Sequence, residues 1–145
     1  MADINSKTDI RLSKSCLSGA EKSAVIRVLD HELLGMGSEV QAFEVELTKF
    51  FGRPTVCVSN GTAALHLALQ AVGVTRGDEV LVQSLTYVAS FQAISATGAN
   101  PIACDVDPLT LCIDLNDAER KLTTKTKAVM PVHYGGGVGA LDDVY

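Results

Sequence analysis

Residues 59–62, Ser-Asn-Gly-Thr, form the stretch of this sequence best suited to chemistry. They follow a short β-rich run at 55–58 and lead at once into a helical pattern of apolar residues, predicted over 61–72. The first amides of a helix lack intrahelical partners and carry partial positive charge, so a phosphate group could bind there. Gly61 would let the backbone approach such a group, and Thr62 could add a hydroxyl donor. The same residues could instead serve only to cap the helix.

Other reactive side chains follow the later predicted strands and should stand at the same edge of a sheet. Tyr87 could stack on a flat heterocycle, or its ring could fill the top of the core. His133 could act as an acid, a base or a stacking group, or hold a structural hydrogen bond. Asp105 and Asp107 could pair for acid–base chemistry, or Asp107 could open an ordinary turn.

The elements that must position these residues alternate along the chain. The predicted strands are nearly continuous apolar runs, as expected when helices cover both faces of a parallel sheet. Alternating strands and helices with short links predict an α/β doubly wound architecture, whose ligands sit beyond the carboxyl ends of the strands. The predicted strands are 55–58, 79–83, 101–105 and 127–132, and the predicted helices between them are 61–72, 87–97 and 115–122.

The first third of the chain has a different character. Residues 1–15 are polar and without pattern, which indicates a flexible arm. An N-terminal helical segment is predicted over 16–52, and the α/β part over 53–145. The first helix of that segment should begin at a capping box formed by Ser18 and Glu21 and continue to Leu33. A second should run from about residue 38 to 50 and end at the Gly-Arg-Pro sequence that follows.

Composition excludes several classes of function. The 145 residues carry a net charge of −5 and no basic cluster, so the sequence predicts neither nucleic acid nor an anionic membrane as a partner. No apolar run could span a bilayer, and the N-terminus does not resemble a secretion signal. The four cysteines form no Cys-x-x-Cys pair, so neither a metal site nor a disulfide framework is predicted, and a cytoplasmic location is the simplest assumption. Dinucleotide-binding and P-loop spacings are absent.

Several motifs occur together in the order that one family shows. The sequence resembles the DegT/DnrJ/EryC1/StrS aminotransferases, the sugar aminotransferase branch of the fold-type I pyridoxal-phosphate enzymes, over roughly residues 12–145. The resemblance implies that the chain is the N-terminal part of the family's large domain. The motifs that carry it lie at residues 37–44, 59–65, 77–80, 86–90, 105–107 and 124–133 and in the glycine-rich tail.

The resemblance also implies roles for individual residues. Backbone amides around Gly61, Thr62 and Ala63 would hold the phosphate of pyridoxal 5′-phosphate, and Tyr87 would stack on its pyridine ring. Residues 35–38 would lie near the entrance for the sugar nucleotide, although a serine replaces the usual proline at the end of that stretch.

The implied function is transfer of an amino group from an amino acid, expected to be glutamate, to a keto-sugar nucleotide by a homodimeric enzyme. The family's pyridine-binding aspartate and its Schiff-base lysine would both lie beyond Tyr145. No catalytic residue is therefore assigned within the chain, and Lys121, Lys125 and Lys127 match no catalytic position. We expect the isolated chain to be inactive in transamination and to self-associate through uncovered apolar surface.

Two other functions remain open from the sequence. A dehydratase of the same family, with histidine in place of the Schiff-base lysine, would have the same N-terminal motifs. A non-catalytic module that binds a phosphate ligand or a partner chain would also be compatible with them.

Overall fold

The computed structural model describes residues 14–144, which divide into one unit ending at Cys57 and a second beginning at Val58. Residues 1–13 of the predicted arm lie outside the described residues. Within 14–144, none of the helices combines the length and the apolar character needed to cross a membrane.

The first helix, α1 (Gly19–Asp30), begins as predicted and ends early. The amide of Ser18 donates to Oε2 of Glu21 at 2.6 Å, and the Ser18 side chain accepts from the first turn in return, which confirms the capping box. The predicted continuation to Leu33 is wrong. Glu32 adopts a left-handed φ of 57°, and this conformation cannot continue a right-handed helix.

The second helix, α2 (Ser38–Phe51), agrees closely with the prediction. It ends at Gly52, whose φ of 64° is left-handed and favours glycine. The stop signal in the sequence therefore acts as expected.

The predicted strand at 55–58 is wrong, since no ladder among residues 14–144 includes this segment. Side chains of α2 accept its amides instead. The Thr55 amide donates to Oγ1 of Thr48 at 3.1 Å, and the Cys57 amide donates to Oε1 of Glu44 at 2.7 Å. A β-rich run becomes a strand only when a neighbouring strand accepts and donates its backbone hydrogen bonds.

The second unit contains a three-stranded parallel sheet of β1 (79–83), β2 (100–104) and β3 (126–130) in the order β2-β1-β3, which confirms the α/β prediction. Strand β1 has the predicted bounds, whereas β2 and β3 begin and end one or two residues before the predicted positions, and β3 stops before His133. The strands are β1 (Glu79–Gln83), β2 (Asn100–Cys104) and β3 (Thr126–Met130), and the helices are α3 (Gly61–Ala71), α4 (Ala89–Ala96), α5 (Leu115–Arg120) and α6 (Leu141–Val144), with a 3₁₀ turn at Tyr134–Gly136.

Strand β1 lies at the centre of the sheet and forms the middle of the core. Val80 and Val82 pack with residues of α3 and α4 on one face, whereas Leu81 packs with Ala118 of α5 on the other. Helices therefore cover both faces, as the nearly continuous apolar strand predicted. Cys104 is fully buried at the end of β2, and this burial raises the pKa of its thiol.

A charged network holds α5 against the end of β2. The Asp117 carboxylate is only 7% exposed, and it accepts from Lys121 Nζ at 2.7 Å, from Arg120 at 2.9 Å and from the Asp105 amide at 2.7 Å. Lys121 Nζ also donates to the Ala103 carbonyl at 2.7 Å. The hydrogen bond from Lys121, followed by that from the Asp105 amide, lowers the pKa of Asp117 to about 2.

Candidate functional site

A cavity of about 870 Å³ opens at the carboxyl edge of the sheet, where parallel α/β folds bind their ligands. Its volume falls in the range of roughly 300–1,000 Å³ that is common for ligand pockets. Three segments form its walls: the N-terminus of α3, the loop between β1 and α4, and the end of β3 with the residues that follow it.

The N-terminus of α3 is both capped and open. Asn60 has extended backbone angles, and its Oδ1 accepts the Ala63 amide at 2.9 Å, while its carbonyl accepts the Ala64 amide at 3.1 Å. For the amides of Gly61 and Thr62, no acceptor is recorded among residues 14–144. The capping and anion-binding interpretations of this turn are therefore compatible, with two open amides instead of the three that the resemblance implied.

The position of Gly61 leaves room for a ligand. A Cβ atom built on Gly61 would meet nothing within 4 Å, so the cavity is open directly in front of the helix start. An anion could reach the two open amides without displacing a side chain.

Tyr87 presents its ring to the same cavity. The side chain lines the cavity together with Gly61 and Thr62, and the residue is 79% exposed. The alternative in which this ring fills the top of the core is therefore wrong. An exposed aromatic face beside an anion cradle is suited to stacking on a flat ring that carries a phosphate.

Two hydroxyl groups that the sequence interpretation did not single out also line the cavity. Thr86 Oγ1 and Ser90 Oγ lie 2.8 Å apart, and Ser90 is almost fully buried. One hydroxyl must donate to the other, which leaves a single hydroxyl hydrogen for a ligand. Their spacing of four residues at the start of a predicted helix is the signal that could have identified them.

The wall formed by Met130, Pro131 and Val132 is apolar. None of the residues that line the cavity carries a charged side chain, so its positive potential comes from the start of α3, equivalent to about half an elementary charge. Across the described part of the chain, no group of three His, Cys, Asp or Glu side chains is arranged to hold a metal ion.

The carboxylates of the two acidic residues after β2 accept hydrogen bonds from backbone amides, and neither residue lines this cavity. Asp107 accepts from the Leu109 amide at 2.9 Å and the Thr110 amide at 2.7 Å, and these bonds, that of Thr110 first, lower the pKa of its carboxyl. Asp105 accepts from the Val106 amide at 2.9 Å. The structure thus favours the turn-opening interpretation of Asp107 over an acid–base pair.

The segment 35–38 belongs to the first unit of the chain. Gly35, Gly37 and Ser38 line a cleft of about 280 Å³, in which Val28 and Leu34 supply apolar surface. The cleft could accept a small apolar or mixed ligand group.

The sequence matches the family model for the DegT/DnrJ/EryC1/StrS aminotransferase family over residues 15–145. It is 47% identical over 125 residues to a GDP-perosamine synthase of Escherichia coli O157:H7, a match that covers 83% of this chain and 34% of that protein. It is 38% identical over 133 residues to a dTDP-4-dehydro-2,3,6-trideoxy-D-glucose 4-aminotransferase of Saccharopolyspora spinosa, covering 90% of this chain and 34% of that protein.

The fold also matches solved structures. The PMP form of Spr1654 from Streptococcus pneumoniae superimposes with a TM-score of 0.84 at 34% identity, and the match covers 93% of this chain and 34% of that one. The chain therefore spans about a third of the length of the relatives it matches.

Proposed function

This chain belongs to the DegT/DnrJ/EryC1/StrS aminotransferase family, whose members use pyridoxal phosphate, and from that membership we propose its function. It forms the part of an aminotransferase that holds the cofactor's phosphate and one face of its ring. The whole enzyme moves an amino group from an amino acid, glutamate in our proposal, to a keto-sugar nucleotide.

One observation carries the proposal: the open amides of Gly61 and Thr62 line the same cavity as the exposed ring of Tyr87. Two open amides at a helix start suit a phosphate, and an uncovered aromatic face suits a flat heterocycle. These two features match the phosphate and the pyridine ring of the family's cofactor.

Bound pyridoxal phosphate supplies an electron sink, which lets an amino group leave one carbon and join another. The residues of this chain bind and orient. The start of α3 binds the phosphate, Tyr87 sets the plane of the ring, and the hydroxyl hydrogen of the Thr86–Ser90 pair can donate to a polar edge. The apolar wall formed by residues 130–132 keeps water away from the side of the cavity that it lines.

The substrate class is supported by the relatives. Their names include a GDP-perosamine synthase and a 4-aminotransferase that acts on a dTDP sugar, so a keto sugar joined to a nucleotide is the class that we propose. A homodimeric assembly and a cytoplasmic location belong to the same proposal. The homodimer rests on the family resemblance, and the location rests on a cysteine pattern that indicates no disulfide framework.

The proposal is tested by titrating the ¹⁵N-labelled chain with pyridoxamine 5′-phosphate, which has no aldehyde to react with surface lysines. We expect shifts of the Gly61, Thr62 and Tyr87 amides, and much weaker shifts with pyridoxamine, which lacks the phosphate. Amide shifts with inorganic phosphate, together with no shifts with pyridoxamine, would favour a phosphate-binding module. No shift at millimolar ligand would contradict the proposed site.

A second test concerns activity. We expect the isolated chain to transfer no amino group from glutamate to a keto-sugar nucleotide, because none of the lysines among residues 14–144 lines the cavity. Turnover by the chain alone, measured as 2-oxoglutarate formed, would contradict this expectation.

A further inference from the structure

The loop that carries Tyr87 is held by a buried side chain on the opposite face of the sheet. Gln83 is the last residue of β1 and is fully buried. Its Nε2 donates to the carbonyl of Leu85 and to the carbonyl of Leu111, both at 2.8 Å. Both hydrogens of the amide are therefore used to hold backbone.

The carbonyl oxygen of this amide accepts no hydrogen bond from residues 14–144. Oε1 of Gln83 is buried and has no partner among the described residues. Burying an unpaired carbonyl is unfavourable, and an aliphatic side chain would fill the same space without that cost. The contribution of Gln83 to this structure is therefore the donation to Leu85 and Leu111.

The ring of Tyr87 gains little support from packing, since the residue is 79% exposed. Its backbone is held on the C-terminal side by the Ser90 amide, which donates to the Tyr87 carbonyl at 3.0 Å, and by the hydroxyl contact between Thr86 and Ser90. On the N-terminal side, the backbone is held by the hydrogen bond that Gln83 Nε2 donates to the Leu85 carbonyl. The direction of the Tyr87 Cα–Cβ bond, from which the ring extends, is thus set by backbone that is held on both sides.

The second acceptor of Gln83, the Leu111 carbonyl, lies in a different loop from Tyr87. Leu111 has a left-handed φ of 58°, which is unusual for a leucine, and its amide donates to the Asp107 carbonyl at 2.8 Å. Gln83 therefore joins the loop after β1 to the loop after β2, and neither loop can shift without breaking a buried hydrogen bond.

We propose that Gln83 is a positioning residue, which fixes the Tyr87 ring over the cofactor cavity by holding the Leu85 carbonyl. The proposal rests on the proposed function of the Tyr87 site. Gln83 is not among the residues that line the cavity, so its loss should affect the ring-stacking part of binding and leave the phosphate part unchanged.

The test uses Gln83→Met, which keeps the length of the side chain and removes both donors. In the ligand-free chain, we expect ¹⁵N order parameters at 85–87 to fall from about 0.85 to below about 0.6. Affinity for pyridoxamine 5′-phosphate should fall several-fold, while affinity for inorganic phosphate should not change. Gln83→Asn, which keeps the amide and is one methylene shorter, replaces the Met variant if that variant does not fold.

Leu81→Val provides the matched control, because Leu81 lies on the same face of β1 but its hydrophobic cluster, with Cys104, Ile113 and Ala118, includes neither Leu85 nor Leu111. It should lower stability without mobilising residues 85–87. A folded Gln83 variant with unchanged order parameters, or with equal loss of both affinities, would overturn the positioning role. If the unsubstituted chain bound no pyridoxamine 5′-phosphate, the proposed function would fail, while the order parameters would still decide the role of Gln83.

Discussion

The amide nitrogen of Ala63 lies 2.9 Å from Oδ1 of Asn60, the residue that caps α3. The cap thus engages one of the three amides that the family resemblance assigns to the cofactor phosphate. An anion bound at Gly61 and Thr62 would lie beside this side chain and compete with it for the Ala63 amide. The charge at position 60 should therefore control anion binding separately from helix stability.

Asn60→Asp should weaken phosphate binding at least about tenfold, because the carboxylate lies beside the anion in a cavity without cationic side chains. The urea midpoint should stay close to that of the unsubstituted chain, since aspartate caps a helix as well as asparagine does. Phosphate titrations followed by NMR, together with urea unfolding, measure both quantities. Asn60→Ser is the neutral control and should preserve them. Unchanged phosphate affinity in the aspartate variant would contradict the anion site.

Tyr87→Ala should reduce affinity for pyridoxamine 5′-phosphate by about two- to tenfold, since aromatic stacking contributes roughly 0.5–1.5 kcal/mol. The urea midpoint should barely change, because the residue is 79% exposed. Tyr87→Phe keeps the stacking face and should bind like the unsubstituted chain. If the phenylalanine variant lost as much affinity as the alanine variant, the phenolic hydroxyl and not the ring face would be the contact.

Asp117→Asn should lower the urea midpoint at pH 7, because it removes the charge that pairs with Lys121 and Arg120. The folded-state pKa of Asp117 is lowered from 3.8 to about 2, so the stability that it contributes is complete at neutral pH and is lost as the pH falls through this interval. The difference between the two proteins should therefore narrow between pH 5 and pH 3, within the range of about pH 5 to pH 1 over which a lowered aspartate pKa acts.

The matched control for Asp117 is Glu119→Gln on the same helix. Glu119 is exposed and has no recorded ion pair within residues 14–144, so its replacement should leave the urea midpoint unchanged at every pH. A constant difference between Asp117→Asn and the unsubstituted chain from pH 7 to pH 3 would show that the effect is not one of ionisation.

Gly139→Ala should destabilise the glycine-rich loop far more than Gly135→Ala. Both glycines have left-handed backbones, with φ of 60° and 61°, so both variants carry the conformational cost of about 1–2 kcal/mol. Only at Gly139 would the new Cβ lie 2.6 Å from the buried Cβ of Cys112, whereas at Gly135 it meets nothing within 4 Å. Urea unfolding compares the two variants, and equal midpoints would contradict the close packing of this loop on Cys112.

The sequence predicted best where local pattern and burial agree. The apolar run of β1 has the same bounds in the structure as in the prediction, because a central strand needs apolar side chains on both faces. The capping box at Ser18 and the stop at Gly52 were also predictable, since each depends on residues close in sequence. The carboxyl-edge rule also predicted that the start of α3 and Tyr87 lie together, as they do, although it placed the start of α3 after a strand at 55–58 that does not form.

The misses have a common physical origin in partners that sequence periodicity does not contain. The run at 55–58 has strand composition, but the side chains of α2 accept its amides. The role of Gln83 at the end of an apolar strand could not be predicted from the sequence, because the two groups that accept its hydrogen bonds are backbone carbonyls. One of them belongs to Leu111, far along the chain. Backbone carbonyls are present at every position, so no residue type indicates which of them a buried amide will bind.

The central position of β1 also has a kinetic consequence. Two walls of the cavity come from α3 and from the loop after β1, which are neighbours along the chain. The third wall requires β3 to pair with β1 across the span from Glu79 to Thr126. Closing such a span is entropically slower than forming local contacts. The open amides at the start of α3 and the ring of Tyr87 should thus come together early on the folding pathway. The third wall of the cavity should form only when β3 pairs with β1.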